Sequence, residues 1–171
     1  MRIGDEAATF TLPDTDGSRH AFPDDAGPTV VVFTCNHCPY ALAWHERLLQ
    51  VARDYEQVRF LAVNSNDAER YPADSYEAMK RRVEDDGGWP HPYLHDASQE
   101  VAREYGAKTT PDVFVFDSQR VLRYRGAPDA DHRDEGQRAA WLREALDAVL
   151  AGNEPERAET PARGCSIKWR T

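Results

Sequence analysis

The chain has 171 residues, is 40% hydrophobic, and carries three cysteines and a formal net charge of −9. That is the length of one domain plus a tail, with enough apolar content for a single core. An acid excess without a basic stripe argues against nucleic acid as a partner. No apolar run approaches membrane-spanning length, and three cysteines are too few for a disulfide scaffold.

Lysine occurs only at Lys80, Lys108 and Lys168, and arginine supplies the other cations. The charge reads as a solvated, self-repelling surface. The opening Met1-Arg2-Ile3-Gly4-Asp5 lacks the pattern of a signal peptide, so the expected compartment is the cytoplasm.

From the start of the chain, residues 8–12 alternate as a strand, and Pro13-Asp14-Thr15-Asp16-Gly17 is rich in turn formers. Residues 19–22 can then return as a second short strand. Residues 24–28 form a loop leading to an apolar β-branched run, residues 30–33, with the composition of a buried strand. That run ends at Thr34, and Cys35 and Cys38 follow with two residues between them. After Pro39, Leu42, Leu48, Leu49, Ala52 and Tyr55 recur at mostly helical spacing.

Residues 58–63 read as another buried strand, closed by Asn64-Ser65-Asn66-Asp67. Asp74 or Ser75 is expected to cap a helix that runs to Asp86 and stops at Gly87-Gly88. Residues 89–94 are extended, because residues before proline avoid the α region. Asp96 caps a short helix through Val101 and Tyr105, ended by Gly106. Residues 113–116 and 121–124 make a hairpin about the turn Asp117-Ser118-Gln119, and residues 138–150 are amphipathic. Beyond Gly152 comes a polar, Pro-containing linker that reaches one last dense motif, Gly164-Cys165-Ser166-Ile167-Lys168-Trp169. The expected organisation is a domain over residues 1–152 with a tail over 153–171 that carries Cys165.

A strand running into Cys-x-x-Cys and then into a helix is the thioredoxin-type redox arrangement. Cys35 is expected at the helix N-terminus, where unpaired N–H groups and the macrodipole favour a thiolate. Cys38 is expected one turn on, within disulfide reach, since bridged Cα atoms lie about 5.5 Å apart. Pro39 suits the first turn, where its missing N–H costs nothing.

The order of elements resembles the thioredoxin fold of the AhpC/TSA–redoxin group, which includes peroxiredoxins and thioredoxins of the TlpA/ResA type. Ile3-Gly4-Asp5 with Phe10-Thr11-Leu12-Pro13-Asp14 is similar to that group's N-terminal hairpin, and Thr110-Pro111 to its cis-proline site. The motif Cys35-Asn36-His37-Cys38-Pro39-Tyr40 and the terminal Gly-Cys-Ser-Ile-Lys-Trp together resemble its peroxiredoxin-like, thioredoxin-family members. The resemblance implies an α/β thioredoxin-like fold: a central mixed sheet flanked by helices, an N-terminal β-hairpin and an extended C-terminal tail. It implies that Cys35 attacks and Cys38 resolves. It also implies that Thr110 and Pro111 bind substrate, the Thr110 backbone being open to a substrate strand by β-augmentation.

Two positions depart from the group's patterns. Thr29 stands where thioredoxins carry a buried Asp as proton acceptor, so His37 and His45 become the candidates for that role. Thr34 directly precedes Cys35, and His37 stands where a peroxiredoxin pattern places its reactive cysteine. His37, between the cysteines, would favour the thiolate and raise the potential above thioredoxin's roughly −270 mV.

Cys165 has three readings: a small buried hydrophobe anchoring the tail beside Ile167 and Trp169, a third redox thiol, or a metal ligand with Cys35, Cys38 and His37. His91 and His95 read as surface or loop histidines, and Trp44 and Trp89 as core residues or as walls of a substrate groove. Arg81-Arg82 reads as a solvated helix face.

The expected activity is thiol–disulfide exchange through a mixed disulfide, with a protein or small-molecule disulfide as substrate, an external reductant and no bound cofactor. A thiol peroxidase using Cys35 as the peroxidatic cysteine is the first alternative. A metal carrier using Cys35, Cys38 and Cys165 is the second.

Overall fold

The computed structural model describes residues 1–24 and 27–171, so the expected loop over residues 24–28 falls partly outside the described residues. A hairpin of β1 (Phe10–Pro13) and β2 (Arg19–Phe22) comes first, in the register Phe10 to Phe22 and Pro13 to Arg19. Next are β3 (Thr29–Phe33), α1 (Pro39–Asp54), β4 (Arg59–Asn64), a 3-10 turn Pro72–Asp74 and α2 (Tyr76–Asp85). Then β5 (Tyr93–His95), α3 (Glu100–Tyr105), the short β6 (Thr109–Thr110), β7 (Asp112–Phe116) and β8 (Leu122–Gly126) follow. The chain closes with α4 (Ala140–Leu150) and the two-residue β9 (Cys165–Ser166).

The main sheet has the order β5-β4-β3-β7-β8, with β3, β4 and β5 parallel and β7 and β8 antiparallel additions. Every residue of β3 is buried, because both faces of this central strand are covered. Side-chain alternation sorts the sheet into two cores. Val30, Val32, Phe60, Ala62, Val113 and Val115 face α1, α2 and α4. Val31, Phe33, Leu61, Val63, Phe114 and Phe116 face the β1–β2 hairpin and α3. Truncating a buried aromatic such as Phe33 or Phe114 costs about 3–5 kcal/mol.

Local signals account for the ends of elements. The Ser75 hydroxyl accepts from the Ala78 amide at 3.1 Å and starts α2, while Gly106 takes φ +69° and stops α3. Asp96 lies four residues before α3, yet its carboxylate accepts from the Ala102 amide at 3.0 Å, so it satisfies first-turn donors from outside the helix.

Three expectations are corrected, and Trp44 takes the first of its two expected readings. The buried face of α1 is Ala41, Trp44, Leu48 and Val51, a cleaner helical spacing than the one through Leu42, which is 47% exposed. Trp44 is core, its indole donating to buried Asp129 at 2.9 Å. His91 is a loop residue as expected, packed on Phe60, whereas His95 is neither surface nor loop: it ends β5 and stacks on Tyr76 with its Nε2 buried. The polar linker is not free chain but a strap along β8, where the Arg125 and Ala158 backbones pair and Thr160 Oγ1 accepts from the Ala127 amide at 3.0 Å. Gly126 makes that close approach possible, since a Cβ there would lie 2.0 Å from Thr160 Oγ1. Among the described residues, no helix is long and apolar enough to cross a membrane.

Candidate active site: three sulfurs at the start of a helix

Helix α1 begins at Pro39, not at Cys35. Proline supplies a preset φ for the first helical position but bars the preceding residue from the α region. Cys38 is therefore the N-cap, extended at φ −73° and ψ 126°, and Cys35 lies three residues earlier in the loop after β3. The expected helix-end position of Cys35 is corrected on this point. The sulfur at the positive end of the macrodipole belongs to Cys38.

Both cysteines are fully buried. The Cys38 amide donates to Cys35 Sγ at 3.3 Å, and the Thr110 hydroxyl lies 3.4 Å from the same sulfur. Cys38 as a thiol donates to the Thr110 carbonyl at 3.2 Å. The two sulfurs divide one charge between them. A hydrogen bond from the Cys35 thiol, helped by the Ala41 amide and a thiol bond from Cys165, draws Cys38 well below the ordinary thiol range against the cost of burial. Cys35 is pushed up by that same bond to Cys38, by burial and by the nearby Asp74 carboxylate.

Thr110–Pro111 is a cis peptide beside the pair, as the resemblance implied. The Thr110 backbone, however, is not open. It pairs with the chain's own tail: β6 and β9 form an antiparallel ladder in which Thr110 faces Cys165 and Thr109 faces Ser166. Cys165 packs against Cys35, Cys38 and Ala41, and its thiol is raised to about 11 by burial and by the bond to Cys38. The tail beyond it is clamped. Ile167 is buried in the second core, its amide donating to the Lys108 carbonyl at 2.9 Å. Gln99 donates to the Lys168 carbonyl at 2.8 Å, and Arg103 lies over the Trp169 ring.

A polar network holds the loop between the cysteines, and its hub is Asp74, fully buried. Its carboxylate accepts from the Asn36 amide at 2.6 Å and lies 2.5 Å from His37 Nδ1. It also accepts from Asn64 at 3.1 Å and Asn66 at 3.0 Å. His37 stacks on Tyr71. Arg82 donates to the Cys35 carbonyl and to Asn36 Oδ1, both at 2.9 Å, so it is a positioning residue and not part of a solvated face. Tyr93 donates to the same amide oxygen at 2.6 Å. His45 stands elsewhere, bonded to Asp86 at 3.0 Å and packed on Trp89. Trp89 is half-buried and stacks on Tyr93.

Asp74, Arg82, Asn64 and Asn66 were not singled out as site residues from sequence. One signal was present: the run Asn64-Ser65-Asn66-Asp67 directly follows a buried strand, at the carboxyl edge where open α/β sheets bind ligands. As for metals, Cys35, His37 and Asp74 present ligand atoms within 4.8 Å of one another. That set differs from the expected Cys35, Cys38 and Cys165, and both Asp74 oxygens already accept hydrogen bonds within the protein.

Comparison with known proteins agrees with this architecture. The model of the AhpC/TSA family matches residues 3–125. The chain belongs to the AhpC/TSA family. A search of curated protein sequences gave no match. Among solved structures, this AhpC/TSA chain is similar to an uncharacterized conserved protein from Geobacillus kaustophilus, at 41% identity and TM-score 0.92 over 99% of this chain and 93% of that one. A hypothetical protein from Sinorhizobium meliloti 1021 is 38% identical with TM-score 0.93, over 100% and 96% of the two chains. Peroxidoxin BcpB from Mycobacterium tuberculosis shares the fold at 21% identity and TM-score 0.64, over 84% and 97%.

Proposed function

We propose that the protein is a thiol–disulfide oxidoreductase in which Cys38 makes the first attack and Cys35 resolves. The observation that carries this reading is the position of Cys38 as the N-cap of α1, with the Cys35 sulfur buried beside it and accepting from its amide at 3.3 Å. The Cys38 thiolate attacks one sulfur of a substrate disulfide, forming a mixed disulfide and releasing the other sulfur as a thiolate. Cys35 then loses its proton and attacks Cys38 Sγ. The Cys35–Cys38 bond forms, and the second substrate thiolate leaves. His37, held by Asp74 and within 4.8 Å of the Cys35 sulfur, stands where it can take that proton. An external dithiol returns the two electrons. No organic cofactor enters the cycle.

The experiment is disulfide reduction of an insulin-type substrate with dithiothreitol as electron source, using wild type, Cys38→Ser and the double variant Cys35→Ser with Cys165→Ser. Wild type should turn over and Cys38→Ser should not. Cys35→Ser combined with Cys165→Ser should accumulate mixed disulfides on Cys38, since no second thiol is left to release them. Turnover by Cys38→Ser, or an inert wild type, overturns the proposal. Rapid peroxide consumption without disulfide reduction reassigns the same sulfurs to a peroxidase, with Cys38 oxidised to sulfenic acid and Cys35 condensing with it.

A further inference from the structure

The edge of β6 next to cis-Pro111 is the place where an extended peptide could add a strand and bring its own sulfur to the cysteine pair. In this chain residues 164–166 already lie there, with Cys165 opposite Thr110. The fit is a built one. A Cβ on Gly164 would lie 2.2 Å from the Thr110 carbonyl oxygen, so only glycine lets the tail backbone come this close. Ile167, Lys168 and Arg170 then anchor the segment through the Lys108 carbonyl, Asn66 Oδ1 and Gln99 Oε1. Holding the tail down needs only the buried Ile167 and these bonds. It does not require a third sulfur packed on the other two, and that is where Cys165 sits.

We propose that Cys165 is a built-in substrate: its sulfur exchanges with the Cys35–Cys38 disulfide and forms a Cys38–Cys165 bond. The inference rests on the thiol–disulfide reading above. The step balances without an external oxidant. Cys165, its proton given to solvent, attacks Cys38 Sγ, and the Cys38–Cys165 bond forms as the Cys35–Cys38 bond breaks. The electron pair stays on Cys35, which takes up a proton. The chain remains oxidised by two electrons, and the thiol proton passes by way of solvent from the tail sulfur to the loop sulfur. An external disulfide reaches the pair only where β9 yields the β6 edge, so the tail competes with substrate for one ladder.

The test is a disulfide map of full-length protein oxidised with diamide, quenched in acid, alkylated under denaturing conditions and digested without reductant. Wild type should yield a Cys38–Cys165 peptide pair alongside Cys35–Cys38. Cys35→Ser, which leaves only the two neighbouring sulfurs, should convert to the Cys38–Cys165 form within one chain. A Cys35–Cys38 bond in wild type, with Cys165 wholly alkylated in both proteins, overturns this inference and leaves the oxidoreductase reading standing. Absence of any disulfide among the three overturns both.

Discussion

Replacing Asp74 with alanine removes the hub beneath the cysteine loop, and the structure sets the size of the effect. Four donors lose their acceptor: the Asn36 amide, His37 Nδ1, Asn64 Nδ2 and Asn66 Nδ2. Asn64 Nδ2 keeps the Tyr93 hydroxyl as a partner, and the His37 side chain is 30% exposed and can turn to water. That leaves the Asn66 amide and the Asn36 N–H unsatisfied, at about 1–3 kcal/mol each. Relief of the carboxylate's own burial offsets part of this, so the net loss is about 2–5 kcal/mol. For a domain of this size each kcal/mol lowers the melting temperature by about 2–4 °C, which puts the fall at about 4–20 °C. Thermal unfolding of reduced wild type and Asp74→Ala, followed by circular dichroism, measures it directly. A fall below about 3 °C would show that the network is satisfied by water and does not hold the loop.

Two further outcomes follow from the same geometry. The bond from Cys35 draws Cys38 below the ordinary thiol range in the folded protein, so its contribution to stability is complete above the unfolded thiol value of about 8.5 and is lost as pH falls through the lowered folded value. The stability difference between reduced wild type and Cys38→Ala should therefore grow with pH across that window, by at most about 1.4 kcal/mol per unit. Denaturant melts at about pH 5 and about pH 8 that give the same difference refute the acidified Cys38. Gly164→Ala would force its Cβ against the Thr110 carbonyl; at an overpacking cost of about 1–3 kcal/mol, native-state alkylation of Cys165 should quicken roughly tenfold or more, and an unchanged rate refutes a tightly seated tail.

What was legible from sequence follows the range of the signals. The hairpin, the buried strands, the Ser75 cap and the Gly106 stop are written in neighbouring residues, and each appears within a residue or two of its expected place. The network around Asp74 was not legible. Its partners come from the loop after β3, the end of β4 and α2, and polar residues far apart in the chain show no periodicity that betrays a meeting. Arg82 illustrates the point: on its own helix it looks solvated, and only the fold sends its guanidinium to the Cys35 carbonyl. The seating of the tail was illegible for the same reason, since Gly164 gains its meaning from an oxygen more than fifty residues away.

The misplaced helix start is more instructive, because its cause lay in the motif itself. Pro39 was recognised as a first-turn residue, yet a first-turn proline also dictates its predecessor, which must be extended. That rule alone makes Cys38 the cap and leaves Cys35 outside the helix. The consequence is chemical. The cap residue stands at the positive end of the helix, its amide donating to Cys35 Sγ at 3.3 Å, whereas Cys35 three residues earlier lies near a buried carboxylate across the loop. One ring without an N–H thus decides which cysteine caps the helix. The tail's Cys165 packs against this same cluster of Cys35, Cys38 and Ala41. Moving the proline one position along, as in Pro39→Ala with Tyr40→Pro, would let the cap shift to residue 39, and the acidity of Cys38 should fall with it. Iodoacetamide labelling of that variant at mildly acidic pH should slow markedly against wild type, and equal rates would show that the helix end is not what charges Cys38.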